Sequence, residues 1–395
     1  MDNVVMAEKV LKLDKTNWQT TKLGELATEI SKRVDNPSES EYDRFVGLGN
    51  FVSGDIKIKS WETTDNLASS AKAFQSGDIL FARRNAYLRR ASMVDFDGCC
   101  SGDAFVLREN HEKVVPGFLA FLLNSNALWD YANSNAAGTM SKRVKWRDLA
   151  EYEFLLPPKD EQAKLAELLW AMDDVIEGYW KTKISLENYK RRIAYDCYYS
   201  EKVLKVNLED LTIKIQDGSH FSPKVFYPEN DGTRYRYVTS KNIRVTGIEF
   251  KEDLYIDKAF HDSIYPRCDV MRGDILLTKD GANTGAATLN SLEEEFSLLS
   301  SVCLIRSNDK TTNEYLCQYI NSEIGNYNLV NQMTGTAITR LTLTTLRKIK
   351  IPIPNLKKQI EVVNSLNSID MGISSSIESI NIARDLQKSL INQVF

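Results

Sequence analysis

The densest group of side chains able to engage a charged partner is Arg83-Arg84-Asn85-Ala86-Tyr87-Leu88-Arg89-Arg90, four guanidiniums around one aromatic ring. A guanidinium pairs bidentately with phosphate or with a guanine edge, and a carboxamide matches adenine. That composition suits a loop reading nucleic acid, and it equally suits a solvated charged face. Groups for covalent or acid–base chemistry are scarcer. The three histidines, His111, His220 and His261, lie far apart with no carboxylate at a regular offset, so no catalytic dyad is assigned. His220 falls in Asp217-Gly218-Ser219-His220-Phe221-Ser222-Pro223, where Asp-Gly and Pro mark a tight loop. There a hydrogen-bonded turn histidine is the plainer reading and a ligand contact the alternative. Six cysteines show no C-x-x-C spacing, which predicts reduced thiols and no metal site. The patterns G-x-x-x-x-G-K-[ST], G-x-S-x-G and H-E-x-x-H are absent, as is an adenine-methylase N-P-P-Y. Gly47-Leu48-Gly49 lacks the third glycine of a dinucleotide loop and reads as a turn. The expectation is a chain that performs no chemistry of its own.

The elements that position these groups come in two sets. A chain of 395 residues, 43% apolar and 26% charged, predicts two or three globular domains rather than a disordered or fibrous protein. A net charge of −4 puts any nucleic-acid contact in local patches. With no apolar run of membrane length and no basic, apolar leader, the sequence reads as cytoplasmic. Gly77-Asp78-Ile79-Leu80 recurs as Gly273-Asp274-Ile275-Leu276, and Val46 and Asn50 answer Val238 and Asn242. Gly138-Thr139 answers Gly335-Thr336, Leu155-Leu156-Pro157-Pro158 answers Ile351-Pro352-Ile353-Pro354, and Gln162 answers Gln359. The chain is therefore an internal duplication.

Each copy runs from a strand-rich α+β region through prolines into a long helix. The first helix has apolar residues at Leu165, Leu168, Met172, Val175, Tyr179, Leu186, Tyr189 and Ile193. The second has them at Val363, Leu366, Ile369, Ile373, Ile377, Ile380, Ala383, Leu386 and Leu390. Spacings of three and four predict that these stripes pack helix on helix, antiparallel, as a coiled-coil strut. The predicted divisions are 1–17 (an N-terminal extension), 18–158 (first globular unit), 159–205 (central helix), 206–354 (second globular unit) and 355–395 (C-terminal helix).

Taken in this order and repeated twice, the Gly-Asp-Ile-Leu strand, the Asp217-Gly218-Ser219-His220 loop, the proline punctuation and the Gln-led helix resemble the specificity (S) subunit of Type I restriction-modification systems. The resemblance implies two tandem target recognition domains, each reading one half of a bipartite double-stranded DNA sequence. It implies helices that set the spacing and dock two methyltransferase (M) subunits, with restriction (R) subunits joining through M where present. It implies no cofactor on this chain, with S-adenosylmethionine held by M and ATP and Mg by R. The leading DNA candidates in the first domain are then Arg83, Arg84, Asn85, Tyr87, Arg89 and Arg90, with Lys57, Lys59, Lys142 and Arg143 as phosphate neighbours. In the second they are Ser219, His220, Lys224, Lys241, Asn242, Lys279, Asn283 and Arg340. The alternative is a tandem coiled-coil scaffold without DNA specificity, which would form protein complexes and protect no sequence.

Overall fold

A computed structural model describes residues 13–139, 141–199, 203–251, 253–333 and 340–395. Most of the N-terminal extension and the Gly335-Thr336 repeat lie outside the described residues. The chain forms two units, residues 1–181 with 376–395, and residues 182–375. Both long helices are thus divided between the units.

Each unit is built on the same four-stranded antiparallel sheet. In the first unit the order is Ala27–Ile30, Ala104–Glu109, Ile79–Ala82 and Ala91–Met93; in the second it is Thr212–Asp217, Val302–Ser307, Ile275–Thr278 and Ala287–Leu289. The register matches too, Ala82 facing Ala104 as Thr278 faces Val302. The Ile-Leu strands are apolar except for Thr278 because both their faces are covered. Ile79 and Phe81 join a core with the Leu119–Leu122 helix, its flanking Phe118 and Leu123, and Trp129, while Leu80 joins another with Val46, Phe74 and Val106. Ile275 and Leu277 against Leu276 divide in the same way.

The repeated Gly-Asp is a structural device. Gly77 and Gly273 have φ of 89° and 86°, open to glycine at little cost. The buried Asp78 then receives both a turn amide from Gln75 at 2.8 Å and the Arg108 fork at 2.8 Å. Asp274 repeats this with Met271 and Arg306. A carboxylate this buried persists because it is bidentately paired.

The helices begin in the same way. Gln162 donates to the Pro157 carbonyl at 2.9 Å and accepts from the Val115 amide at 3.0 Å. Gln359 donates to Pro354 at 2.9 Å and accepts from the Thr311 hydroxyl at 2.8 Å. From there the first helix, Lys159–Tyr198, and the second, Leu356–Val394, run antiparallel in each unit. Gln387 reaches the Leu169 carbonyl in the first unit, and Lys190 pairs with Asp370 at 2.6 Å in the second.

The seam lies about one residue away from the predicted stripe in the first helix and shares six of its nine positions in the second. In the second helix it follows Val362, Leu366, Ile369, Ile373, Ser376, Ile380, Ala383, Gln387, Leu390 and Val394, alternating four and three without a break. In the first it follows Gln162, Ala166, Leu169, Asp173 and Ile176, and resumes at Cys197. Leu165, Leu366, Ile369 and Ile380 are buried as expected, and Met172, Leu186 and Ile373 are part-buried. Leu168, Val175 and Ile377 are corrected to the exposed face, Val175 being 52% exposed. An unbroken heptad turns Ser376 and Gln387 inward, so the more apolar Ile377 and Leu386 fall outside it.

Candidate nucleic-acid interface

In the first unit the Ile79–Ala82 strand ends where two loops meet. Arg83 donates its amide to the Asp103 carbonyl at 3.0 Å and accepts from the Val144 amide at 3.0 Å; Asn85 donates to the Lys142 carbonyl at 3.0 Å. This stitching brings Arg83, Arg84, Lys142 and Arg143 to one edge. Asp103 collects three of them, with Arg143 at 2.8 Å, Arg84 at 3.6 Å and Arg83 at 3.8 Å. The Arg143 hydrogen bond, with Arg83 and Arg84 beside it, holds the Asp103 carboxyl below the usual carboxylate range. One carboxylate against three guanidiniums leaves the edge positive. Arg84 also donates to Ser141 at 3.1 Å, while the buried Nε atoms of Arg83, Arg84 and Arg90 have no hydrogen-bond partner.

Beyond the edge the chain makes a 3-10 turn, Ala86–Leu88, bracketed by Asn85 and Arg89 in the left-handed region (φ 55° and 49°). Each left-handed non-glycine residue costs about 1–2 kcal/mol, so the surrounding bonds must hold it there. They do: Arg89 is tied to Asn126 at 2.6 Å and Asp130 at 3.0 Å, and Arg90 to the Leu48 carbonyl at 2.8 Å. Ala86 is buried, and Tyr87 stands 67% exposed at the tip.

Two of the expected phosphate neighbours face elsewhere. Lys57 lies among Asp173, Glu177 and Asp174 of the long helix at 3.5, 3.5 and 3.7 Å, and Lys59 pairs with Asp55 at 3.2 Å. Carboxylates already neutralise both, which leaves Lys142 and Arg143 as the cations beside the arginine turn.

The second unit assembles its edge with the same backbone bonds. Lys279 donates its amide to the Ser301 carbonyl at 2.9 Å and accepts from the Leu341 amide at 3.0 Å, so it occupies the place of Arg83. Its carboxylate partner comes from a different strand end. The buried Asp217 lies 3.5 Å from Lys279, 3.1 Å from His220 and 3.8 Å from Arg267. Asp280 also pairs with Lys279 at 3.2 Å, so this centre is less positive than its counterpart. Ser219 is buried and makes a tight turn, its hydroxyl donating to the Phe221 carbonyl at 2.8 Å and accepting from the Phe221 amide at 3.1 Å. Lys224, Lys241, Asn283 and Arg340 are exposed.

Asn242 is a different matter. Its carboxamide accepts from the Thr239 amide at 2.9 Å and donates to the Glu249 carbonyl at 3.0 Å, so a turn consumes the groups that base reading would need. Asn50 likewise accepts from the Gly47 amide, at 2.7 Å, in the first unit. Sequence reasoning missed Asp103, Ser141, Arg267 and Phe221. Only the tertiary fold brings Asp103, just before the Ala104–Glu109 strand, and Arg267, in the turn after the Lys258–Ile264 helix, to their partners, although the exposed Phe221 followed a turn that was visible.

No group of three or more metal-ligating side chains occurs among the described residues. The comparisons with known proteins agree with the duplicated architecture. A family model described as the Type I restriction modification DNA specificity domain matches residues 15–188 and again 202–382. The chain belongs to that family. Among curated members, it is 25% identical over 166 residues to the Type I restriction enzyme EcoDI specificity subunit of Escherichia coli, covering 41% of this chain and 36% of that one. It is 24% identical over 267 residues to the MjaIX specificity subunit of Methanocaldococcus jannaschii, covering 62% and 60%. These matches span less than two thirds of either relative. Among solved structures, the Type I restriction-modification S subunit from M. genitalium superposes with a TM-score of 0.60 at 13% identity over 98% of each chain. A chain of a type I R-M system studied for complex assembly and conformational transition gives 0.59 at 20% identity, over 97% and 98%. Both share the fold.

Proposed function

We propose that this chain is the DNA-recognition subunit of a Type I restriction-modification complex. Each unit reads one half of a bipartite duplex sequence, and the paired helices set the spacing and dock two methyltransferase subunits. The observation that carries this reading is the double family match laid over two equivalent edges, each centred on a carboxylate-held base, Arg83 or Lys279. On such an edge, cations anchor phosphates and a few side chains reach base edges. Arg84, Arg143 and Lys142 are the phosphate-facing set of the first unit; Lys241, Arg340 and Lys224 are that of the second. Methyl transfer from S-adenosylmethionine then belongs to M subunits, and ATP- and Mg-dependent steps to R subunits where a system has them. The two edges offer few cations and the chain carries a net charge of −4, so the partners contribute part of the affinity.

Co-expression with the methyltransferase subunit of the same system, followed by genome-wide mapping of methylated adenines, tests the reading. The expected result is one split motif that disappears when this chain is omitted. Methylation without a motif, or an unchanged motif in its absence, overturns it.

A further inference from the structure

We propose that Tyr87 in the first unit and Phe221 in the second are aromatic wedges, each stacking into one base step of its own half-sequence; this rests on the DNA reading above. Asn85 and Arg89 are the only non-glycine residues with positive φ among the described residues, and both bracket the same three-residue turn. A turn needed merely to reverse the chain would place glycine at such positions and polar side chains at its tip. This one places Tyr87 and Leu88 at the tip and fixes every residue at its base. Lys142 holds Asn85, Asn126 and Asp130 hold Arg89, and Leu48 holds Arg90. The result is a projecting ring on a fixed turn, with the Arg90 guanidinium as a neighbour.

Phe221 is the most exposed large apolar side chain among the described residues, at 79%. It is also held at its backbone. The Ser219 hydroxyl takes both its amide and its carbonyl, and Ser219 is itself fixed by the Leu298 carbonyl at 2.8 Å and the Ser300 amide at 2.8 Å. The neighbouring residues are again the base cluster, here Lys279, Arg267 and His220 around Asp217. The two rings come from different loops, one after the Ile79–Ala82 strand and the other after Thr212–Asp217, so the repeat in sequence does not pair them. A flat, preorganised ring flanked by cations matches a base step flanked by phosphates. A protein partner would also accept an aromatic next to arginine, and the test separates the two.

Duplexes are selected from a randomised library with the full chain, alone and co-purified with its methyltransferase partner. The selected duplex is then scanned with 2-aminopurine at each position, whose fluorescence reports local loss of stacking. Binding should change the signal at one step in each half. Tyr87→Ala should abolish the change in one half only and weaken binding about tenfold, Phe221→Ala should do so in the other half, and Tyr87→Phe should preserve both. Circular dichroism should be unaltered in all three, since both rings are exposed. Selection and binding without any change in stacking would overturn the wedges and leave the DNA reading intact. A loss of methyltransferase association by Tyr87→Ala with the stacking signal preserved would overturn the Tyr87 wedge in favour of a protein contact. Failure to select any sequence would overturn the DNA reading together with this assignment.

Discussion

Of the four arginines in the 83–90 turn, Arg84 shares Asp103 with Arg83 and Arg143, whereas Arg89 is directed back onto the Asn126–Ser134 helix. Their substitutions therefore part company. Arg84→Ala and Arg143→Ala each remove a cation from the exposed edge and should lower the slope of log affinity against log salt by about 0.9. If either also reads a guanine, discrimination falls by about 1–3 kcal/mol at that position. Arg89→Ala should instead loosen the turn, lowering affinity with the salt slope nearly unchanged; salt titrations of the three variants make the distinction. The density of guanidiniums was plain in the sequence, but their division between ligand-facing and structural was not, because Asn126 and Asp130 lie far along the chain. His261 shows a second residue-scale effect. It is buried, stacks on Tyr235 at 3.6 Å, touches Ser297 at 2.9 Å and has Glu295, Asp262 and Lys258 as charged neighbours. Burial outweighs the two carboxylates and depresses its pKa. The unfolded chain then takes up a proton first as pH falls through about 6.5, and stability is lost from there down to the folded value. Denaturant unfolding at pH 7.5 and 5.5 should show this loss, and His261→Gln should flatten it.

The long helices show what the sequence can and cannot specify for an element. Their existence, their antiparallel pairing and their Gln-led starts were legible from period, proline and repeat. Their rotation was legible only in part: six of the nine second-helix stripe positions lie in the seam, and the first-helix stripe runs about one residue off it. Ser376 and Gln387 lie in the seam although Ile377 and Leu386 are more apolar, since a continuous four-three repeat over ten positions outweighs hydrophobicity at any one of them. A neighbouring pair offers a direct check. Ile380→Ala deletes a buried seam residue and should cost about 2–5 kcal/mol. Ile377→Ala, exposed on the other face, should change stability by no more than about 0.5 kcal/mol. Equal losses in urea unfolding would restore the stripe read from the sequence. The globular units follow the same pattern. The Gly-Asp-Ile-Leu strands were visible by repetition, whereas the exchange of Asp103 for Asp217 as the clamp needed strand pairing to bring the partners together.

At the scale of the molecule, the duplication is completed by exchange: the first unit takes residues 376–395 from the far end of the chain. Leu390, Ile391 and Val394 enter its core, and the Phe395 ring meets Phe118 at 5.2 Å and Phe154 at 6.2 Å. In the second unit the end of the first helix fills the matching place, Tyr198 meeting Tyr315 at 5.9 Å and Tyr319 at 5.1 Å. A chain ending after Lys205 therefore keeps one globular region and loses the side chains that close it. Each lost apolar residue removes roughly 1.5–3 kcal/mol of burial. The helix that remains carries the quasi-equivalent terminus, so a second copy can supply its Tyr198 where Phe395 belonged, reciprocally and by an isologous interface. Sedimentation should find this half-chain dimeric, and with methyltransferase subunits it should modify a palindromic split target built from one half-sequence twice. The fit has a defined flaw. Tyr198 carries a hydroxyl that is buried without a hydrogen-bond partner, and it would enter a site shaped around phenylalanine. Removing an unsatisfied buried hydroxyl recovers about 1–3 kcal/mol, so Tyr198→Phe should tighten the half-chain dimer by about tenfold or more. A half-chain that stays folded and monomeric at high concentration, or a dimer that Tyr198→Phe weakens, would show that the two helix ends are not interchangeable.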